Sequence, residues 1–297
     1  MKKGTLIAAG AYVMWGVLPI YWHALSGVTP VEILMHRIVW SLLFCAILVT
    51  AMKDWGWLRA GFRKPVVFRR FVVTAVLLAC NWLIYIWANN NGHIVEASLG
   101  YFITPLVNVV LGLLILHEHL RPGQWLALAV ATAGVSYLVF NASGWIWISF
   151  TLALSFGFYG LLRKTATWGS LQGLTVEMGI LFVPALAYLV LAASRGTMAF
   201  GTQNTQTTLM LAFSGVITAI PLLLFASGAR QVPLTTLGVL QYIAPTMQFM
   251  IGVFLYHEPF TRTSLIGFGI VWVALAIYWA EGYRSYRRQR QVALVVG

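Results

Sequence analysis

Ten stretches of about 20 mainly apolar residues fill the chain, and the connections between them are too short to hold a separate domain. An α-helix of that length spans the hydrocarbon core of a bilayer. Only 9% of the residues are charged, whereas a soluble domain carries roughly 25%. The sequence therefore predicts an all-α membrane protein with ten transmembrane helices. These stretches are residues 4–24, 31–52, 71–91, 95–116, 122–141, 145–163, 172–194, 208–229, 232–256 and 261–280.

The positions of the basic residues predict the orientation of the helices. The net charge of +12 is concentrated in short connections and in the tail 284–297, which is typical of membrane orientation signals and not of a nucleic-acid surface. With both termini in the cytoplasm, only Arg37, Arg195 and Arg262 fall outside the cytoplasmic connections. We therefore predict a multi-pass protein of a bacterial-type inner membrane that contacts lipid and no nucleic acid. A role of the tail in binding lipid headgroups stays open.

Two segments of the sequence repeat each other. Residues 103–118 and 243–258 match at several positions that lie 140 residues apart, since 243 − 103 = 140. Because each half then holds five spans, the second half enters the membrane from the opposite side. This pattern predicts two inverted five-helix repeats, 1–141 and 142–283, an architecture typical of secondary transporters. The matching pairs are Ile103/Ile243, Pro105/Pro245, Gly112/Gly252, His117/His257 and Glu118/Glu258, with a weaker echo of Trp15-Gly16 in Phe156-Gly157.

Three motifs resemble one transporter family. The segments EASLGYFITPL at 96–106, EILMHR at 32–37 and QYIAP at 241–245 are similar to the RarD group of EamA-type transporters, within the drug/metabolite transporter (DMT) superfamily. The resemblance covers essentially the whole chain. It implies ten helices in two inverted halves around a central cavity, and export or exchange of small metabolites.

Polar and aromatic side chains within the spans are the candidates for lining a cavity, because polar groups are costly to expose to lipid. Asn81, Tyr85 and Asn89 recur at every fourth residue and so share one face of the third span. Rings in the interior of a span would stack on an apolar solute or attract a cation. The alternative is hydrogen bonding or ring packing between helices. The predicted substrate-binding residues are Tyr12, Trp15, Asn81, Trp82, Tyr85, Asn89, Tyr101, Asn108, Tyr159, Gln241, Tyr242 and Gln248.

Pro105 and Pro245 occupy equivalent places in the fourth and ninth spans. A proline removes a backbone donor and leaves a carbonyl without its usual partner one turn earlier. Paired interruptions of this kind are typical of the binding sites of inverted-repeat transporters. We predict that both residues act as hinges; the alternative is a pair of bends kept for packing.

The charged groups within the spans permit two interpretations. Arg37 would either bind a substrate carboxylate or form an intramembrane pair with Glu32 or Glu96, and the sequence favours the charge pair. Glu177 is a candidate proton carrier inside the cytoplasmic end of its span. The two His-Glu pairs of the repeat fall on opposite membrane faces, so we predict no metal site.

The function that fits these features is secondary transport of a small metabolite, amino-acid-like, amine or drug-like, by alternating access. No Gly-rich phosphate loop is present, so we predict no ATP and no cofactor. The chain also shows no nucleophile with a base, which disfavours an enzyme. The alternatives are an intramembrane enzyme acting on a lipid-like substrate and a passive small-solute channel. The solute, the direction, the coupling ion and the oligomeric state stay open.

Overall fold

The computed structural model describes residues 3–58, 65–91, 93–141, 145–257 and 261–296. Within these residues it contains helices and no strands, and ten of the helical segments are long and apolar enough to cross a membrane. The prediction of an all-α protein with ten spans is thus confirmed. The helices are α1 Lys3–His23, α2 Pro30–Ala51, α3 Pro65–Asn90, α4 Ile94–Leu114, α5 Pro122–Phe140, α6 Ile146–Lys164, α7 Ser170–Ser194, α8 Thr205–Ala229, α9 Leu234–Gln241, α10 Ile243–Met250 and α11 Arg262–Val296.

Three spans have features that bear on the sequence prediction. The ninth span is made of α9, α10 and the π-helical segment Ile251–Leu255, so it is interrupted at Tyr242, three residues before Pro245. Its counterpart α4 passes Pro105 without interruption, which contradicts the expected break there. In addition, α11 continues as a helix to Val296, through most of the predicted basic tail.

Local sequence signals set the helix ends. Proline is the first residue of α2, α3 and α5, a position where its missing N–H costs nothing because no intrahelical acceptor faces it. Thr29 caps α2 by accepting the N–H of Glu32 at 3.4 Å. Asn204 caps α8 in the same way, accepting the N–H of Thr207 at 2.7 Å. These two caps fix the points at which the chain enters α2 and α8.

The helix boundaries repeat with the spacing seen in the sequence. Four helices of the first half begin 140 residues before a helix of the second half: Pro30 and Ser170, Pro65 and Thr205, Ile94 and Leu234, Pro122 and Arg262. The helix ends also share an unusual backbone, since His117 and His257 have φ values of 51° and 53°, a conformation uncommon outside glycine. These features are compatible with the predicted inverted repeat.

The helix contacts also follow the repeat: a contact between two helices recurs between their counterparts in the other half. The contacts of α1 with α8 and of α2 with α8 have counterparts in α6 with α3 and α7 with α3. Two glycines show the same relation in detail. A Cβ on Gly16 would lie 2.8 Å from Met247, and one on Gly157 would lie 2.5 Å from Val107, where 107 + 140 = 247. Small residues at both places let α1 approach α10 and α6 approach α4.

Candidate functional site

A cavity of about 660 Å³ lies in the centre of the bundle, between the two halves. Residues of α1, α2, α3, α4, α6, α8, α9 and α10 form its walls. It reaches the surface at the end that carries the α1–α2 connection, where the lining residues His23, Ser26 and Pro30 are exposed. We call this the open end of the bundle. The volume lies within the roughly 300–1,000 Å³ of small-molecule sites.

Most of the predicted binding residues line this cavity. The structure brings together side chains from both halves, although they are up to 236 positions apart in the chain (248 − 12 = 236). Asn81 has a second role, because its Nδ2 also donates to the carbonyl of Leu152 and to Oγ of Ser155, both at 2.9 Å. The side chain of Asn89 lies outside the described residues. The predicted residues in the lining are Tyr12, Trp15, Asn81, Trp82, Tyr85, Tyr101, Gln241 and Gln248, with Pro245.

Three predicted binding residues lie outside the lining, because neighbouring helices use their polar groups. Asn108 is fully buried and donates to Oε1 of Gln241 at 2.7 Å. The Tyr242 hydroxyl donates to the carbonyl of Phe102 at 3.2 Å. Tyr159 donates to Oε2 of Glu177 at 3.3 Å. For these three positions the alternative interpretation, hydrogen bonding between helices, describes this conformation, and their assignment to the substrate site stays a prediction. Pro105 likewise lies outside the lining.

The predicted charge pair of Arg37 is wrong. Glu32 instead accepts the backbone N–H groups of Ala199 and Phe200 at 2.7 and 3.1 Å, and so anchors the α7–α8 connection. Glu96 lies 3.8 Å from His93. Both carboxylates are therefore engaged near the helix ends, away from Arg37.

Arg37 is instead part of the cavity wall. Its Nε donates to Oγ1 of Thr218 at 2.9 Å. The guanidinium carbon lies 4.9 Å from the ring centroid of Trp22 and 4.8 Å from that of Trp82, within the range of cation–π attraction. The arginine is held by two rings and one hydroxyl at the side of the cavity.

Aromatic rings and ion pairs close the other end of the bundle, which we call the closed end. Tyr12, at the cavity floor, packs edge-on against Phe225 with centroids 6.1 Å apart, and Phe225 stacks on Tyr159 at 6.0 Å. Below this ring layer, Arg163 and Glu177 form a buried ion pair at 3.6 Å. The predicted proton carrier thus lies outside the cavity wall.

A second charged cluster joins the halves at the closed end. Glu118, at the end of the fourth span, accepts the N–H groups of Leu234 and Thr235 at 2.6 and 2.9 Å. These are the first N–H groups of α9, which lack an acceptor within their own helix. Lys164 lies 3.9 Å from Glu118 and donates to carbonyls at the end of α8, those of Ala229 and Val232.

Comparison with known proteins decides the family. A sequence profile of the EamA-like transporter family matches residues 2–140. The chain is 42% identical over 289 residues to the protein RarD of Streptomyces exfoliatus, covering 97% of this chain and 92% of that protein. It is 43% identical over 294 residues to an uncharacterized transporter of Pseudomonas aeruginosa, covering 98% of each.

The chain belongs to the RarD group of the EamA-like transporters. A solved crystal structure shares its fold with a TM-score of 0.68 at 18% identity, covering 93% of this chain and 98% of that one. RarD-like proteins are members of the DMT superfamily, and their names identify transporters and not enzymes. The protein is therefore a multi-pass bacterial membrane transporter.

Sequence reasoning missed several residues that shape the cavity of this RarD-like transporter. Trp22 and Thr218 hold Arg37. In the sequence, Trp22 resembles an ordinary membrane-interface residue near the end of α1, and Thr218 resembles an ordinary packing residue within α8. Arg163 was assigned to a cytoplasmic connection, yet its side chain is 1% exposed. A glutamate within a span requires a partner. The position of Glu177 was therefore a signal that a buried basic residue lies beside it.

Proposed function

We propose that this RarD-like protein is a secondary transporter that exports or exchanges a small organic metabolite by alternating access, with the central cavity as the solute site. The observation that carries the proposal is a cavity that opens at the α1–α2 end and is lined by both halves, whose helices begin 140 residues apart. The solute classes considered are amino-acid-like, amine and drug-like molecules. The distribution of the basic residues supports a bacterial-type inner membrane with the closed end facing the cytoplasm.

The hydrogen bond between Asn108 and Gln241, whose repeat counterparts line the cavity, supports two alternating conformations. At the closed side, Asn108 donates to Gln241 at 2.7 Å. Adding 140 to 108 gives Gln248, and subtracting 140 from 241 gives Tyr101. Both of these line the cavity, and Gln248 donates to the carbonyl of Trp15 at 3.1 Å. We expect the opposite conformation to join Tyr101 and Gln248 and to separate Asn108 from Gln241.

The shapes of the fourth and ninth spans support the same mechanism. Inverted repeats produce two access states when the halves adopt different shapes and then exchange them. Here α4 is continuous past Pro105, whereas the ninth span is interrupted near Pro245 and ends in a π-helical segment. We therefore propose that the two prolines act as hinges in turn: the ninth span is interrupted near Pro245 in this conformation, and we expect α4 to be interrupted near Pro105 in the other.

Two cysteine pairs test alternating access directly. In a background lacking Cys45 and Cys80, we expect Asn108→Cys/Gln241→Cys to form a disulfide readily in the conformation described here. We expect Tyr101→Cys/Gln248→Cys to form one only when the other side opens. An added Trp15→Cys reports access, because Trp15 lines the cavity. A membrane-impermeant maleimide should reach it from the outside when the first pair is linked, and from the cytoplasm when the second is linked.

The outcomes separate a transporter from a passive channel. Labelling from the same side with both cross-links, or a second pair that never links, would contradict alternating access. Labelling from both sides in one cross-linked state would indicate a continuous pore and favour the channel. A cysteine at Gln206, exposed at the outer start of α8, is the matched control, because its labelling should not change with either cross-link.

A further inference from the structure

We propose that the cavity selects solutes with a carboxylate and an apolar or aromatic body, and that Arg37 binds the carboxylate. The inference rests on the proposed transport function and names its substrate class. Of the three solute classes considered above, it favours the amino-acid-like class and excludes simple amines. Four independent features of the described residues carry it: the charge of the lining, the setting of Arg37, the repeat counterpart of Arg37 and the apolar wall.

The charge of the lining is complementary to an anion. Arg37 is part of the cavity wall, His23 lies at its mouth, and none of the described lining residues is an aspartate or glutamate. Every acidic residue that the structure describes lies elsewhere: Glu32, Asp54, Glu96, Glu118, Glu177 and Glu281. Among the described residues, no carboxylate lies within 4.0 Å of the Arg37 guanidinium. An amine would meet this positive charge without a compensating acid.

Arg37 is held in a fixed orientation beside the cavity. Trp22 and Trp82 lie at 4.9 and 4.8 Å from its guanidinium carbon, and Thr218 accepts from its Nε. A guanidinium presents a planar fork of N–H donors that matches the two oxygens of a carboxylate. With Nε used by Thr218, the Nη groups supply the donors for a ligand. Because the side chain is already ordered, binding costs little further side-chain entropy.

The repeat counterpart of Arg37 is already in an ion pair. Adding 140 to 37 gives Glu177. For the first helix, the spacing that relates Trp15 to Phe156 is 141, and 22 + 141 gives Arg163. The counterpart of the Arg37–Trp22 contact is thus the Glu177–Arg163 pair at 3.6 Å. The second half balances its buried charge internally, whereas the first half leaves Arg37 unbalanced beside the cavity. A solute carboxylate supplies the missing charge.

The remaining wall defines the rest of the solute. A single guanidinium balances one negative charge, so a carboxylate fits better than a phosphate monoester, which carries about −1.5 to −2 at neutral pH. Near Arg37, the cavity continues between rings and aliphatic side chains. These rings contact one another, since Trp15 lies 5.8 Å from Phe156 and Tyr85 lies 5.7 Å from Tyr101. The apolar members of the lining include Trp15, Leu18, Ile86, Phe156, Leu222 and Ile251.

Binding of matched solutes to the purified full-length protein tests the proposal. The probes are the acid, the amide and the primary amine built on each of three bodies: phenylpropyl, indolylpropyl and isobutyl. Isothermal calorimetry should show that at least one acid binds, at least about 10-fold more tightly than its amide, with no binding of the amines. Phenyl phosphate should bind more weakly than the best acid. An amine or amide equal to its acid, a tighter phosphate, or no binding by any acid at millimolar concentration would overturn the proposal.

Substitutions of Arg37 assign the effect to this residue. Arg37→Gln should weaken the acid roughly 10- to 100-fold and leave acid and amide equal, because the charged hydrogen bonds are lost. Arg37→Lys keeps the charge but not the fork, so it should retain the preference for the acid at lower affinity. Arg195→Gln, at an exposed arginine after α7, is the matched control and should bind as the unchanged protein does. If Arg37→Gln keeps the acid preference, the assignment is wrong.

This result is separable from that of the cysteine pairs. Acids that fail to bind while the cross-links still reverse the side of labelling would overturn only the carboxylate inference. Acids that bind while Tyr101→Cys/Gln248→Cys never links would overturn only alternating access. The melting temperature and monodispersity of each variant in detergent identify a variant that has failed to fold. If Arg37→Gln fails to fold, the single variants Arg37→Lys and Thr218→Val carry the test instead. Thr218→Val should loosen Arg37 and weaken acid binding severalfold while preserving the preference over the amide.

Discussion

Glu177→Ala is expected to lower the free energy of unfolding by about 3–5 kcal/mol, the range found when one partner of a buried ion pair is removed. The side chains of Glu177 and Arg163 are 0% and 1% exposed. The substitution therefore leaves a guanidinium buried with no carboxylate beside it. Arg163 cannot move away easily, because it fills the space at Gly173, where a Cβ would lie 1.7 Å from its Nη1. A denaturant titration of the protein in detergent micelles measures the change in the free energy of unfolding.

A double substitution separates charge from packing. Arg163→Met/Glu177→Met removes both charges while keeping apolar volume in place, and we expect its stability to lie close to that of the unchanged protein. Arg230→Ala is the matched control, since this exposed arginine contacts only backbone carbonyls of Ala166 and Trp168 among the bonds described. A double variant as unstable as Glu177→Ala would show that shape, and not the unpaired charge, sets the cost.

Glu118→Ala is expected to shift the protein toward the conformation open at the other end. The change removes the acceptors of the Leu234 and Thr235 N–H groups and the ion pair with Lys164. Hydrogen bonds to a charged group are worth about 1.5–3 kcal/mol each, so the loss of one or both should change the ratio of conformations by at least about 10-fold. Labelling of Trp15→Cys by the impermeant maleimide should become faster from the cytoplasm and slower from the outside.

Two further variants define the cause of this shift. Glu118→Gln keeps one carbonyl acceptor without the charge, and we expect an intermediate shift. Asp54→Ala removes a carboxylate at the same end of the bundle, where it accepts from Gln172 at 2.9 Å, but that contact does not involve α9. Labelling should therefore stay unchanged in Asp54→Ala. Equal labelling rates in Glu118→Ala and the unchanged protein would remove Glu118 from the closing mechanism.

The number and order of the spans could be predicted from sequence because each span is long, apolar and bounded by turn or capping residues. The repeat was visible for a related reason: Pro105, Gly112 and His117 each impose a backbone requirement that their counterparts share. The helix starts then follow the same 140-residue spacing. These properties depend on short stretches of the chain, so they can be recognised from the sequence alone.

The position of individual polar groups could not be predicted in this way. Asn108 and Tyr101 are both polar residues of α4, but one is fully buried against Gln241 and the other is 38% exposed. In the proposed alternating mechanism the difference depends on which half is closed, and a sequence that encodes both conformations cannot specify one of them. For Arg37, the sequence offered two acidic candidates, Glu32 in the same span and Glu96 in the fourth span. The structure shows that the backbone of the α7–α8 connection, far away in sequence, takes the carboxylate of Glu32.

The ring layer beneath the cavity also has a bearing on the energy supply of the cell. Tyr12 and Phe225 are 0% exposed and Tyr159 is 1% exposed, so water in the cavity meets a dry, tightly packed partition instead of a chain of hydrated groups. Protons cross membranes along such hydrated chains, and a bacterium that depends on its proton gradient loses stored energy through every leak. A partition of packed aromatic rings would therefore oppose proton leakage through the closed end, even beside a cavity wide enough to hold water.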